Sequence, residues 1–395
     1  MSDAKPLDGI RVVDAGHIIA GPLATSLLAE FGADVITVEH PEGDSLRRSR
    51  EGVSIPWKVY HRNKRAVTLD LSKPEGAAVL VDLARDADVL VENFRGGQFE
   101  SWGLTYDRLA AENEGLVFTR VSGFGQTGPD SDRAGFGRVT GAASGVTHMI
   151  GEADGPPMMP SFPLEDAIAG VYAAYGTMLA LFQREFQDGT GQVVDLAMVE
   201  ALLRTNETLP TTYDHRGVVP SRNGNRQPNV APNDMFRTAD GHFLVVPASN
   251  ENAWQRLARA MGRPDLLEDE RFADMAARVE HADAVTREVH EWIAARDRAT
   301  VEAAFSEGDV VYAFVNDVED VVTDDHFQAR GSLTRVPDDR LGDALVADVV
   351  PRLSRTPGEI THLGPPPGAH NDEVYRQELG YSETRLAALA QDGVI

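Results

Sequence analysis

The first 125 residues alternate between short apolar runs and longer helical patterns, and that alternation restricts the folds open to the chain. "IRVVDA" (10–15), "DVITVEH" (34–40), "AVTLDL" (66–71), "DVLVENF" (88–94) and "GLVFTRVSGFG" (115–125) each read as a buried strand. Helical segments lie between them. "GPLATSLLAEFGA" (21–33) is one, and "PEGAAVLVDLARDA" is another, with Pro74 in its first turn where a missing N–H costs little. Strands and helices in this order imply right-handed βαβ units and a mostly parallel sheet. Such sheets bind ligands beyond the carboxyl ends of their strands. Those ends carry Gly16-His17, His40-Pro41, Asn93-Phe94-Arg95 and Ser122-Gly123-Phe124-Gly125.

At 395 residues the chain is too long for one ordinary domain, so two are expected. The polar, Pro- and Gly-rich stretch at 206–234 breaks the alternation and is too long for a simple loop. It reads as a linker or a functional segment. Beyond it come a strand, "GHFLVVPAS", helical segments from Trp254 to about Phe305, and a tail of two short helices after a run of prolines.

Composition removes several classes of function. There is no cysteine, which excludes disulfides, thiolate nucleophiles and cysteine-held metals. With 62 acidic and 37 basic residues the net charge is −25, which argues against nucleic acid and anionic membranes as partners. No leader pattern and no apolar run of spanning length are visible, so a cytoplasmic location is expected. The histidines show no metal-binding spacing, and no metal is expected. The first strand–helix turn, "DAGHIIAGPLAT", lacks the GxGxxG of a dinucleotide site. Glu39, at the end of the second strand, is weak support for a ribose contact without those glycines. An NAD-dependent hydride-transfer enzyme is therefore disfavoured.

Positive charge is concentrated in one place. Arg47, Arg48, Arg50, Lys58, Arg62, Lys64 and Arg65 stand within nineteen positions beside a single acid, Glu51. On so acidic a protein, such a cluster suits a small polyanion. A solvated patch paired with acids elsewhere is the other reading. "RNGNRQP" around Gly224 has the form of a glycine hinge or of a plain linker turn.

"SFPLEDAIAGVYAAYGTMLALF" (161–182) poses the sharpest question, because Glu165 and Asp166 head a segment with almost no other charge. Ile168, Val171, Tyr172, Tyr175, Met178, Leu179 and Leu181 recur at helical spacing, as in a helix buried on most sides. Asp166 is then either a cap for that helix or a nucleophile at the edge of a dry core.

Taken together, the motifs resemble class III CoA-transferases, the family of formyl-CoA transferase, carnitine CoA-transferase and the α-methylacyl-CoA racemases. The resemblance is carried by "PLDGIRVVDAGHIIAGPLATSLLAEFGADVITVEHPEGD", "NKRAVTLDLSKPEG", "DVLVENF", "SGFGQTGP", "DAIAGVYAAYGTMLAL", "TGQVVDLAMVEALL" and "GNRQPNVAP". It implies an α/β fold with a Rossmann-like large domain at 1–205, completed by about 325–395. A linker at 206–234 and a smaller α+β domain at 235–324 follow, in an interlocked homodimer. It also implies coenzyme A, as acyl-CoA, and a small carboxylic acid as the substrates.

By the same resemblance, Asp166 matches the family's nucleophile. Leu69, Asn93 and Phe94 match positions that contact CoA. Arg47, Arg48, Lys64 and Arg65 are the candidates for its phosphates. His40 stands where relatives often hold an arginine near the adenine, and Ile19 where formyl-CoA transferase has a glutamine. That second departure points away from an oxalate-type acid. The racemases look as if they use a histidine and an acid to move the α-proton. The matching positions here are Phe136 and Asn250, which are poor proton acceptors. Gly224 is the candidate cover over the active carboxylate. The expected activity is therefore CoA transfer through Asp166. The alternatives are a racemase of the same fold and a CoA-binding protein without catalysis.

Overall fold

Strands covered on both faces read as unbroken apolar runs, because no face is left for polar alternation. That condition holds for β1 (Arg11–Asp14), β2 (Asp34–Glu39), β4 (Val89–Glu92) and β5 (Val117–Ser122), whose residues are buried almost throughout. In the computed structural model, which describes residues 4–49 and 52–395, they join β3 (Lys64–Thr68) and β6 (Val193–Ala197) in one parallel sheet. The strand order is β3-β2-β1-β4-β5-β6. Arg50 and Glu51 of the cationic stretch lie outside the described residues.

Strand order reverses between β1 and β4, so the crevice beyond their carboxyl ends is the expected ligand position of this Rossmann-like sheet. The helix Pro74–Arg85 covers one face through Val79, Leu80 and Leu83, with Pro74 at its first position. The helices Ala20–Ala29 and Leu164–Phe186 lie together, meeting through Ala20, Ala24, Ala169 and Ala173. Small side chains at that contact allow close approach of the two helices.

Two strand readings are corrected. β3 begins at Lys64, two residues before the apolar run "AVTLDL", so Lys64 sits inside the sheet at 0% exposure. β6 carries no clear strand signal in the sequence, because its residues are half exposed and run directly into the helix Met198–Thr205.

The chain divides into two units. The first holds the residues through Val146, Pro160–Thr211 and His326–Ile395; the second holds Thr147–Met159 and Thr212–Asp325. In the second, the antiparallel strands β7 (Asn233–Arg237), β8 (Phe243–Pro247) and β9 (Ala313–Phe314) pack with helices around Trp254, Leu257, Phe272, Val289 and Phe305. The first unit also carries a hairpin of β10 (Leu333–Asp338) and β11 (Gly342–Ala347).

The outer edge of β3 is closed by the carboxyl-terminal segment. Ala66 N–H donates to His370 Nδ1 at 3.0 Å, and Thr68 N–H to Asn371 Oδ1 at 2.9 Å. The Tyr375 hydroxyl donates to the Thr68 carbonyl at 2.9 Å, and Asp70 N–H to the Val394 carbonyl at 2.7 Å. Side chains thus satisfy an edge that a seventh strand would otherwise pair. Among the described residues, no helix is long and apolar enough to cross a membrane.

Candidate functional site

The turns after β1 and β4 are stitched together at the switch point. Asn93 Oδ1 accepts from His17 N–H at 2.7 Å, and Asn93 Nδ2 donates to the His17 carbonyl at 2.9 Å. The Phe94 ring stacks on the His17 ring at 4.8 Å. This pair forms a wall that is shared by two clefts.

On one side a cleft of about 290 Å³ runs over the ends of β1, β2 and β3, between Leu69, Asp70, His40 and Asp44. On the other a cleft of about 310 Å³ is lined by Asn93, Arg95, Ser122, Arg133, Phe136 and Asp166. Ile18, on the loop between them, has a φ of 62°, a left-handed conformation that is strained for a β-branched residue. Its N–H is held by Asp44 Oδ2 at 3.2 Å.

Asp166 is the third residue of the helix Leu164–Phe186, which starts at Pro163 without any side-chain cap. The capping reading is thereby corrected: Asp166 lies in the first turn, with its side chain lining the second cleft. No cation pairs with it among the described residues. Burial pushes its carboxyl above the ordinary carboxylate range, and the charge of Glu165 pushes the same way. Gly137 packs directly on the carboxylate: a Cβ built there would stand 2.4 Å from Asp166 Oδ2. The segment carrying Phe136 and Gly137 reaches this place because Gly123 and Gly135 touch backbone to backbone, a Cβ on Gly123 falling 3.0 Å from the Gly135 Cα.

His17 lines both clefts. Burial lowers its pKa against the opposing pull of Asp44 and Asp14 and so favours the neutral ring. Its Nδ1 is buried without a partner among the described residues.

The sequence-derived site residues separate into groups. Asp166, Asn93, Phe94 and Phe136 meet in the second cleft, while Leu69, His40 and Phe94 meet in the first. Arg48 is exposed and lines neither cleft. Ile19 is the N-cap residue of the helix Ala20–Ala29; its neighbours Ile18 and Ala20 line the second cleft, and it does not. Gly224 and Asn250 belong to the second unit. Gly224 has a φ of 59°, and the Asn250 side chain caps the helix Glu251–Ala260 by accepting Ala253 N–H at 2.9 Å.

Three of the four cations assigned to phosphates are committed elsewhere. Lys64 is fully buried, with its ammonium 2.9 Å from Asp14 Oδ2 and 2.7 Å from the Pro22 carbonyl. Arg65 spends its guanidinium on Asp34, Glu373 and Glu378. Arg47 forks onto Glu39 at 2.6 and 2.5 Å and lies over the Trp57 ring, which also occupies the acid considered for a ribose. Their density in sequence reflects buried pairing with acids of the same unit.

Sequence reasoning named Arg95 only as a strand-end residue and missed Arg133; both line the cleft of Asp166, with Arg133 also paired to Asp130 at 3.0 Å. Arg95 has no acidic partner among the described residues; its Nε donates to the Asp132 carbonyl. It missed Tyr60 too, whose hydroxyl feels the charge of Asp166. The strand-end position of Arg95 was the one available signal, and Tyr60 had none.

Residues 7–371 match CoA-transferase family III. The chain belongs to that family. As a class III CoA-transferase it is 41% identical to the succinyl-CoA–D-citramalate CoA-transferase of Chloroflexus aurantiacus, over 99% of this chain and 98% of that one. It is 35% identical to the succinyl-CoA:mesaconate CoA-transferase of Haloarcula hispanica, over 94% of this chain and 95% of that one. Among solved structures, a CAIB/BAIF family protein from Brucella suis superposes with a TM-score of 0.84 at 31% identity, covering 95% of this chain and 100% of that one.

Proposed function

We propose that this class III CoA-transferase moves CoA from a dicarboxylic acyl-CoA to a small dicarboxylic acid, with Asp166 as the covalent carrier. The observation that carries this reading is an unpaired, desolvated carboxylate in the first turn of a long helix, inside a cleft with two arginines. The substrate class follows that named for the Chloroflexus and Haloarcula relatives.

An Asp166 oxygen attacks the thioester carbonyl, and the C–S bond breaks to give a mixed anhydride and CoA thiolate. The thiolate then attacks the aspartyl carbonyl and releases the first acid as its carboxylate. That leaves an aspartyl–CoA thioester. The acceptor carboxylate attacks this thioester, forming a second anhydride and thiolate. Attack of the thiolate on the acceptor's acyl carbon yields the new acyl-CoA and restores Asp166. Each intermediate retains the activation of the first thioester, so no energy input is required. Desolvation of Asp166 strengthens it as a nucleophile and keeps competing water away.

In this reading the nucleotide end of CoA lies in the first cleft beside Leu69 and His40. The thioester reaches Asp166 past the Asn93–Phe94 wall. Arg95 and Arg133, in place of Lys64 and Arg65, meet the anionic groups of the substrates. Phe136 beside Asp166 offers no proton acceptor, which supports transfer over racemisation.

An interlocked homodimer in the cytoplasm belongs to the same proposal. Val171, Tyr175, Leu179, Phe182 and Phe186 form an exposed apolar stripe on the helix Leu164–Phe186, and no residue of the helix Thr208–Arg216 is buried. Both features call for cover by a second chain. Light scattering on the purified protein tests this, and a monomer at micromolar concentration would refute it.

The deciding experiment is mass spectrometry after incubation with succinyl-CoA. A CoA-sized adduct is expected on the peptide containing Asp166. Asp166→Ala is expected to bind CoA and to lose exchange, and exchange retained in that variant removes Asp166 as the carrier.

A further inference from the structure

The wall between the two clefts depends on a residue that reaches neither of them. Glu92, the last residue of β4, is 0% exposed. Its Oε2 accepts the N–H of Phe94, two residues ahead, at 2.7 Å. A side chain that takes the N–H of residue i+2 closes a tight local turn. Its other oxygen accepts from Arg120 Nε at 2.7 Å. Arg120 in turn forks onto Glu100 at 2.5 and 3.1 Å. The far end of the turn is equally fixed, through the paired hydrogen bonds from Asn93 to the His17 backbone and the ring stack of Phe94 on His17. Trp102 packs edge-on against Phe94 at 4.9 Å.

We propose that Glu92 is a positioning residue for the acyl-CoA site: it acts through the Phe94 N–H and sets the wall along which the pantetheine arm passes. This rests on the assignment of the CoA site given above.

A purely structural residue at this depth could be apolar. Burying a carboxylate that shares its guanidinium with a second acid is costly, and burial drives the Glu92 pKa up to about 7. An acid retained under that cost, with one oxygen spent on the turn, is explained by what the turn supports. Glu92 touches no ligand in this arrangement, so it is not a catalytic residue.

Steady-state kinetics with succinyl-CoA separate this role from simple stability. Glu92→Gln keeps an acceptor for Phe94 and is expected to hold the acyl-CoA KM within about threefold of the parent enzyme. Glu92→Leu removes the acceptor and is expected to raise that KM by about tenfold, with kcat within about threefold. Glu100→Gln weakens the same ion network and leaves the turn intact, so it should lower Tm and leave KM alone. Should Glu92→Leu not fold, Glu92→Met takes its place, since its unbranched chain is close to glutamate in length and offers the Phe94 N–H no oxygen; it must raise KM more than Glu92→Gln does. An unchanged KM in Glu92→Leu, the reverse order of the Met and Gln variants, or an equal rise in Glu100→Gln overturns the proposal. Asn93→Ala is the control on the site itself. If it leaves KM unchanged, the assignment of the CoA site falls and this inference falls with it; if it raises KM and the Glu92 variants do not, this inference alone falls.

Discussion

Gly137 and the Asp166 carboxylate are packed so closely that no side chain fits between them, since the methyl carbon of an alanine at 137 would fall 2.4 Å from Oδ2. Gly137 does not occupy the left-handed region, so an alanine there brings no backbone strain of its own. Gly137→Ala therefore acts by moving the carboxylate. A displacement of about 1 Å costs on the order of a hundredfold in rate when geometry is limiting. We expect kcat to fall by about that factor with the acyl-CoA KM within about threefold, measured by initial rates of acyl exchange. A wild-type kcat would mean that the position of Asp166 is not limiting.

Ionising Asp166 costs the fold, because burial and Glu165 both disfavour its charge. Its pKa is raised on folding, so its contribution to stability is complete below the unfolded pKa and is lost as pH rises through the folded one. Asp166→Asn removes the charge with almost no change in shape. It should abolish exchange and raise Tm at pH 7, since the buried charge is gone. Calorimetry checks the second half, and a lowered Tm would contradict it.

Glu165, buried beside Asp166, is the second cause of that raised pKa. As the nucleophile must be ionised, kcat/KM should fall as pH falls through the Asp166 pKa. Glu165→Gln takes away the neighbouring negative charge and should move this acid limb to lower pH. A limb that stays in place assigns the titration to another group.

Lys64 serves the sheet, in contrast to its expected phosphate contact. Lys64→Met leaves Asp14 buried without its cation and should cost about 3–5 kcal/mol in urea unfolding. The acyl-CoA KM of the folded fraction should not change. A rise in KM without loss of stability would restore the lysine to the binding site.

How much of this was legible in sequence depended on whether local pattern or long-range pairing decided each feature. Five parallel strands were readable, because burial on both faces turns each into an apolar run. β6 was hidden by its half-exposed edge position. Asn93 and Phe94 stand at a strand end that the alternation locates and Asp166 at the head of a helix, but the roles expected of all three came from the family resemblance. Arg47, Lys64 and Arg65 misled for a physical reason: adjacency in sequence counts charges but not partners. Asp14 and Asp34 neutralise Lys64 and Arg65 from other strands, 50 and 31 residues away, and Glu39 takes Arg47 across a turn of eight. Tyr60 and Gly137 approach Asp166 only through tertiary packing, and nothing in their own sequence surroundings marks them.

The closure of β3 by residues 370–394 has a consequence during synthesis. Until residues 370–394 have left the ribosome, the outermost strand of the nascent chain keeps its hydrogen-bonding groups bare, after the rest of its sheet has already been made. Throughout that interval the chain is open to pairing with strangers, and a chain cut short before residue 370 would stay so permanently.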